Sequence, residues 1–135
     1  MFYDFAITVE KLSTKTSPSE QRLKLTHGVI HAIRLDFPPG PRGEVNLAIY
    51  HEEHQLYPTN PGGAFNADNT YITYDDYFEL LTAPYELVAR GWAPTADYDH
   101  TIHIEIGLLE SKLALVSLRI AGGIEKLLRF LGIGV

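Results

Sequence analysis

The alternation of apolar and polar residues with a period of two is the feature that most constrains the fold of this chain. It is clearest within residues 101–107, where Ile102, Ile104 and Ile106 alternate with polar side chains. Successive side chains of a β-strand point to opposite faces, so this pattern predicts strands with one buried and one exposed face. The opening run follows the same rule, with one face formed by Tyr3, Phe5, Ile7 and Val9.

Turn residues divide this pattern into short predicted strands. The proline-rich stretch 38–41 ends one of them, because proline cannot continue a hydrogen-bonded ladder. The predicted strands span residues 3–9, 21–26, 29–37, 44–50, 71–74, 85–92 and 101–107. No crossover helix is visible before residue 108, which argues against a parallel sheet. We therefore predict an all-β fold, an antiparallel β-sandwich that is jelly-roll-like, and leave open another Greek-key strand order.

The middle of the chain leads to three local predictions. His31 is expected to face the core, with a hydrogen-bond partner, because it shares a strand face with the apolar odd-numbered residues of 29–37. Residues 51–69 are expected to form one long loop, because proline, glycine and asparagine are frequent there. Asp75 and Asp76 are adjacent, so in a strand their carboxylates would point to opposite faces.

The C-terminal part of the chain follows a different pattern. Apolar residues recur at helical spacing within 109–120, although a last strand is an alternative because residues 114–120 also alternate. Residues 124–131 form a candidate short amphipathic helix. We therefore divide the chain into a sandwich domain, 1–108, and a C-terminal amphipathic tail, 109–135, that acts as an assembly element. An apolar tail needs a covering surface, which favours a homo-oligomer or docking on another protein.

Charge and composition limit the partners of the protein. Lysine and arginine total 11 against 17 for aspartate and glutamate, which gives a formal net charge of -6. Such a chain is a poor electrostatic partner for nucleic acid, so we predict no direct contact with it. The chain has no cysteine, which excludes disulfides and thiolate metal sites. The N-terminus does not resemble a signal peptide, and no window of about 18 apolar residues predicts a membrane span.

Two histidine pairs are the candidates for metal binding. They are His51 with His54 and His100 with His103. Imidazoles on a β-sandwich hold metal ions in cupin-type proteins, so a cupin-like metal-binding protein is an alternative function. Two ligands share one face of a strand at positions i and i+2, and neither pair has that spacing. We therefore predict no bound metal and no cofactor.

Calcium is a second cation to consider, at Asn66, Asp68 and Thr70. These oxygen-bearing residues alternate as the first ligands of an EF-hand loop do. Tyr77, however, stands where such a loop needs its final glutamate. We therefore expect a turn at Asp68 and Asn69 instead of a calcium site.

Aromatic residues are the candidates for binding other molecules. The chain has eight tyrosines and six phenylalanines, many of them in its loop-rich middle. Such rings contribute a large contact area at low entropic cost. The predicted interface consists of Tyr57, Phe65, Tyr77, Phe78, Leu113, Val116, Ile120, Leu127, Leu128, Phe130 and Leu131. A carbohydrate- or receptor-binding module is the alternative, with the stacking rings Tyr57, Tyr71, Tyr74 and Trp92.

Catalytic motifs are weak throughout the chain. No serine lies in a nucleophile elbow, and there is no phosphate-binding loop or dinucleotide-binding glycine pattern. The stretch His51–His54 is one residue shorter than the zinc motif HExxH. We therefore predict that the protein is not an enzyme and assign no catalytic residue.

Several segments resemble small uncharacterised proteins that are encoded by phages and viral metagenomes. They are LTHGVIH (25–31), FPPG (37–40), IYHEEHQLYPTNP (49–61), YFEL (77–80) and RGW (90–92). The resemblance covers residues 1–108 and implies a context, the virion, and no activity. It implies a capsid, decoration, neck or spike subunit that is made in the host cytoplasm and located in the virion. We thus predict a non-enzymatic virion structural protein whose partners are copies of itself and other virion proteins.

Overall fold

The fold is all-β over residues 1–110, which are the residues described by the structure, a computed structural model. Every strand except the fifth overlaps one of the alternating stretches of the sequence. The strands are Phe2–Val9 (β1), Ser19–Lys24 (β2), Gly28–Phe37 (β3), Asn46–His51 (β4), His54–Tyr57 (β5), Thr70–Leu80 (β6), Glu86–Trp92 (β7) and His100–Glu110 (β8).

The strand order is that of a jelly roll. Strand β4 pairs with β5, β3 with β6, β2 with β7 and β1 with β8, all antiparallel, as if one long hairpin had been folded. Two further pairs, β3 with β8 and β4 with β7, roll this hairpin into two sheets. The sheets have the orders β1-β8-β3-β6 and β2-β7-β4-β5. The predicted antiparallel β-sandwich is confirmed, and long-range pairing selects the jelly-roll order.

The core lies between the inner faces of the two sheets. On β8 it contains Ile102, Ile104 and Ile106, each fully buried, as the alternation predicts. Ile7 and Val9 of β1 are buried with them, and Tyr3 and Phe5 pack against the same cluster. The opposite sheet contributes Leu23, Leu47, Ile49, Leu87 and Ala89. Burial of these side chains is the main force that holds the sheets together.

The two long sides of the sandwich differ. On one side the edge strands β1 and β2 run close together. On the other side the edge strands are β5 and β6, and no Cα atom of β5 lies within 8 Å of one in β6. We call the latter the open side. The wider separation of these two edge strands leaves space for a site at the open side.

The predicted long loop 51–69 is wrong in its first part, because β5 lies within it. His51 pairs with His54 across a two-residue hairpin turn formed by Glu52 and Glu53. Both turn residues have positive φ angles, of 47° and 69°, as type I′ turns require. This turn usually contains asparagine or glycine, so the sequence carried no signal for the hairpin.

The predicted core position of His31 is also wrong. The pairing of β3 shifts between Ile30 and Ala32 against both of its neighbours, so a β-bulge reverses the alternation at this point. Ile30 enters the core in place of His31. His31 lies on the outer face, where its ring contacts Phe2 edge-on at 5.7 Å between centroids. One extra residue in β3 was enough to turn Ile30 inward and His31 outward.

Strand β8 extends through Leu109 and Glu110, beyond the predicted domain boundary at residue 108. For Leu109 and Glu110 the structure shows a strand, one of the two alternatives that the sequence left open. The predicted interface residues from Leu113 to Leu131 and the two predicted helical stretches beyond residue 110 lie outside the described residues. Within residues 1–110 no helix is long and apolar enough to cross a membrane.

Candidate functional site

Aromatic residues from both sheets meet at the open side. Tyr57 of β5 contacts Tyr74 of β6 with ring centroids 5.8 Å apart, and Phe65 contacts Tyr74 at 5.9 Å. Phe65 is held in place because its backbone forms two hydrogen bonds with Leu47 of β4. The rings surround a depression of about 340 Å³. We call it the β5–β6 cleft; its lining consists of Tyr57, Pro58, Thr59, Phe65, Tyr74, Asp75 and Asp76.

The pairing of β6 with β3 is irregular beside the cleft. Ile30 of β3 pairs with Phe78 and Ala32 pairs with Asp75, so β6 has one more residue than β3 over this interval. Asp75 and Asp76 are both among the residues that line the cleft. The carboxylate of Asp76 is the one that contacts Tyr57 of the opposite sheet. The sequence contained no signal for the bulge.

A second irregularity lies on the facing edge strand. The pairing of β5 shifts between Tyr50 and Ile49 of β4, which leaves Leu56 as the extra residue beside Tyr57. The loop that follows is fastened by one side chain that the sequence analysis did not select, Gln55. Its amide nitrogen Nε2 donates to the carbonyl oxygens of Pro58, Asn60 and Gly63 at 2.8, 3.2 and 2.9 Å. These bonds give the cleft a fixed rim.

The hydroxyl groups of the two tyrosines have different environments. The Tyr57 hydroxyl donates a hydrogen bond to the carboxylate of Asp76. The Tyr74 hydroxyl is buried and has no hydrogen-bond partner among the described residues. Burial raises the pKa of both tyrosines, and the negative charge of Asp76 raises the pKa of each further. Both side chains are therefore neutral at physiological pH.

The charge in the cleft is negative. In the part of the chain that the structure describes, the ion pairs join Arg34 with Glu105 and Arg90 with Glu20 and Glu53. Asp75 and Asp76 take part in none of these pairs. The carboxylate of Asp76 contacts Tyr57, so the site combines aromatic rings with a negative charge that no ion pair among residues 1–110 neutralises.

A second candidate surface is the outer face of the β1-β8-β3-β6 sheet. Three aromatic residues stand out from it, with exposed fractions of 51% for Phe2, 53% for Tyr71 and 48% for Tyr77. We call these three residues the aromatic face. The guanidinium of Arg34 lies over the Phe2 ring at 4.5 Å, and Glu105 contacts both Arg34 and the Tyr71 hydroxyl. These polar contacts hold the rings of Phe2 and Tyr71 in position.

The predicted interface residues fall into different environments. Tyr57 is only 2% exposed, so its ring belongs to the interior of this chain and is not available to a partner. Phe65 and Phe78 are partly buried and pack against the core. Tyr77 stands exposed on the aromatic face.

The four candidate metal ligands do not converge. His51 and His54 lie on β4 and β5 of one sheet, whereas His100 and His103 lie on β8 of the other. The ring of His51 packs edge-on against Phe78, with its Nε2 atom buried and without a hydrogen-bond partner among the described residues. No group of three or more histidine, aspartate or glutamate residues within 1–110 has the arrangement of a metal site.

Asp68 anchors the proline-rich turn after β3. Its Oδ1 atom accepts hydrogen bonds from the backbone N–H groups of Gly40 and Arg42, both at 2.9 Å. Asn66 donates from Nδ2 to the carbonyl oxygen of Gly43 on the same turn. Two of the three residues considered for calcium, Asn66 and Asp68, thus hold the turn that follows β3.

The rings proposed for carbohydrate stacking do not form one platform. Tyr57 and Tyr74 line the β5–β6 cleft, while Tyr71 lies on the outer face of its sheet. Trp92 is on β7 of the other sheet, only 8% exposed and beneath the Lys15 ammonium group at 5.7 Å. The structure therefore unites two of the four predicted rings.

The fold defines the class of the protein as a jelly-roll β-sandwich, an architecture found in viral capsid domains, lectins and cupins. No protein-family model matches the chain, and a comparison with curated proteins finds no match. One fold of this kind carries many functions, so the function has to be argued from the residues.

Proposed function

We propose that this protein is a non-enzymatic structural subunit of a virion, such as a capsid, decoration, neck or spike subunit. The observation that carries the proposal is the aromatic face, where Phe2, Tyr71 and Tyr77 are each about half exposed on one sheet. Exposed rings that are grouped on one surface are typical of protein–protein contact sites. The partners proposed for this face are copies of the same chain and other virion proteins.

The polar residues around the rings suit them to this role. Arg34 lies over Phe2, and Glu105 holds Arg34 and Tyr71 in position. Side chains that are already ordered lose less conformational entropy when a partner binds. Arginine and tyrosine are also the residue types that most often dominate binding energy at interfaces.

The virion context has two further supports. The chain resembles small phage and viral-metagenome proteins over residues 1–108, and jelly-roll sandwiches are a common architecture of capsid subunits. The sequence beyond residue 110 is rich in apolar residues, with leucine and isoleucine prominent. An apolar segment of this kind would gain from burial in an assembly.

The native mass of the full-length protein tests the proposal. We expect light scattering to show an oligomer whose mass rises with concentration, and electron microscopy to show regular particles. Replacing Tyr71 and Tyr77 together with serine should shift the protein towards the monomer, because two exposed rings leave the contact surface. Tyr98→Ser is the matched control, because Tyr98 is 76% exposed but follows β7 in a different part of the surface. A 15.1 kDa monomer at every concentration would contradict the proposal.

A further inference from the structure

We propose that the β5–β6 cleft binds an organic cation, a primary ammonium or guanidinium group such as that of a lysine or arginine side chain. The cleft lies at the open edge of the sandwich and includes none of the three residues of the aromatic face. The inference therefore goes beyond the proposed function and does not depend on it.

The dimensions and walls of the cleft fit such a group. Its volume of about 340 Å³ falls within the range of small-molecule sites, about 300–1,000 Å³. Tyr74 and Phe65 supply the aromatic surface, and Pro58 adds an apolar contact for the stem of the ligand. A cation over an aromatic face is attracted by the negative potential of the ring.

The charge of the cleft selects a cation over a neutral ligand. Asp75 and Asp76 both line it, and neither forms an ion pair with a lysine or arginine among residues 1–110. The tyrosine hydroxyls remain neutral and add no charge of their own. Hydrogen bonds between an ionised donor and a carboxylate are about twice as strong as neutral ones.

The carboxylate of Asp76 is the acceptor that a cation would meet in the cleft. Tyr57 already donates to Oδ2 of Asp76, which fixes this carboxylate and leaves Oδ1 for a ligand. An N–H group of an ammonium or guanidinium ion can donate to Oδ1, and the ring surfaces of the cleft attract the rest of the positive charge.

The backbone around the cleft is shaped for this arrangement. A bulge in β6 lies between Asp75 and Phe78, and a bulge in β5 lies directly beside Tyr57. Bulges on edge strands frequently redirect side chains towards a site. Both irregularities flank the same cleft.

The test is an NMR titration of the full-length, ¹⁵N-labelled protein with Nα-acetyl-lysine methylamide. Nα-acetyl-norleucine methylamide is the matched neutral probe, because it keeps the aliphatic stem and lacks the charge. We expect the lysine probe to shift the amide signals of Tyr57, Thr59 and residues 74–76, with weaker binding at higher salt, and the norleucine probe to leave them unchanged. Equal shifts with both probes, or no shift with the lysine probe, would overturn the proposal. Shifts with methyl glucoside alone would make the cleft a carbohydrate site instead.

Substitutions identify the groups responsible. Asp76→Asn retains an acceptor for Tyr57 but removes the charge, and we expect it to weaken binding of the lysine probe by about tenfold. Tyr74→Phe should leave binding of the lysine probe unchanged, because the ring remains and the hydroxyl group that is lost is buried. Asp97→Asn is the control, since it makes the same change of charge in a separate depression beside His100. Unchanged affinity in Asp76→Asn would overturn the inference, whereas the native mass of this variant reports on the proposed assembly separately.

Discussion

The hydroxyl group of Tyr57 on β5 donates a hydrogen bond to the carboxylate of Asp76 on β6, and this bond joins the two sheets across the open side of the sandwich. The backbones of the two strands are not paired there. On this side a side-chain hydrogen bond connects the two sheets, whereas on the other side the edge strands β1 and β2 lie close together. The same bond fixes one carboxylate of the β5–β6 cleft, so stability and the proposed binding site are linked at Asp76.

Removal of the Tyr57 hydroxyl should therefore destabilise the fold. We expect Tyr57→Phe to lower the free energy of unfolding by about 1.5–3 kcal/mol, because a hydrogen bond to a charged group is lost within a buried setting. Urea denaturation followed by circular dichroism measures the change.

Tyr74→Phe is the matched variant for this prediction, because it removes a hydroxyl group that has no partner among the described residues. We expect no loss of stability, or a small gain, since an unsatisfied buried polar atom disappears. A similar loss in both variants would contradict the assignment of the bond to Tyr57.

Asp68 should make stability depend on pH in the acid range. The backbone N–H groups of Arg42 and Gly40 hold the pKa of Asp68 below its usual value of 3.8, with the charges of Arg42 and His100 acting in the same direction. The stabilisation by the ionised form is present above pH 3.8 and is lost as the pH falls through the lower, folded-state pKa.

Thermal unfolding of the wild type and of Asp68→Asn checks this dependence. We expect the wild type to have the higher Tm at pH 7 and the difference to shrink as the pH falls below 3.8. Asp36→Asn is a suitable control, because Asp36 is an exposed aspartate on β3. A difference between wild type and Asp68→Asn that does not change with pH would rule out the proposed ionisation.

Two glycines on paired strands should differ in their tolerance of alanine. A Cβ atom at Gly28 would collide with the backbone carbonyl oxygen of Leu109, which cannot move without breaking the β3–β8 ladder. We expect Gly28→Ala to destabilise the protein by about 3 kcal/mol. Chemical denaturation of Gly28→Ala and Gly107→Ala under identical conditions compares the loss of stability at the two positions.

At Gly107 the colliding atoms belong to side chains, Nε2 of His31 at 2.8 Å and Cε1 of Phe2 at 2.9 Å. Phe2 is half exposed and can rotate away, so we expect Gly107→Ala to cost about 1 kcal/mol or less. A larger cost at Gly107 than at Gly28 would mean that the outer-face rings are as immobile as the backbone.

Arg90 should not be replaceable by lysine. Its guanidinium lies over the Tyr50 ring at 4.6 Å and pairs with Glu20 at 2.9 Å and with Glu53 at 3.1 Å. Lysine cannot keep both ion pairs and the stacked geometry at once. We expect Arg90→Lys to cost about 1 kcal/mol at low salt, a small value because both glutamates are largely exposed, and less in 1 M salt.

Arg22→Lys provides the control for Arg90, because Arg22 is an exposed arginine on the neighbouring strand β2. We expect its free energy of unfolding to equal that of the wild type. Loss of stability in Arg90→Lys that is independent of salt would assign the effect to packing on Tyr50 instead of charge.

Alternation predicted much of the fold. The inward faces of β1 and β8 and the burial of Leu47 and Ile49 on β4 follow directly from it, because a strand that covers a core must place apolar residues at every second position. The antiparallel sandwich followed as well, since no crossover helix interrupts the strands of the first 108 residues. These features depend on local sequence alone.

Alternation failed wherever a strand gains a residue. The bulge at His31 placed Ile30 in the core in its stead, and β6 has an extra residue between Asp75 and Phe78, beside the β5–β6 cleft. The hairpin at Glu52 and Glu53 lies in a stretch that resembles a loop, because neither residue type favours its left-handed turn. Each of these features is held by neighbouring strands, whose identity a local pattern does not contain.

The sequence by itself determined that the protein is an all-β sandwich, which residues fill most of its core, and that its charge is acidic. Only the tertiary structure decided the jelly-roll order, the open side and the meeting of Tyr57, Tyr74 and Asp76. The physical reason is the difference between interactions that are local in sequence and interactions between distant segments. The face of a side chain is set by its nearest neighbours along the strand, whereas a site is set by pairing between strands that are distant in sequence.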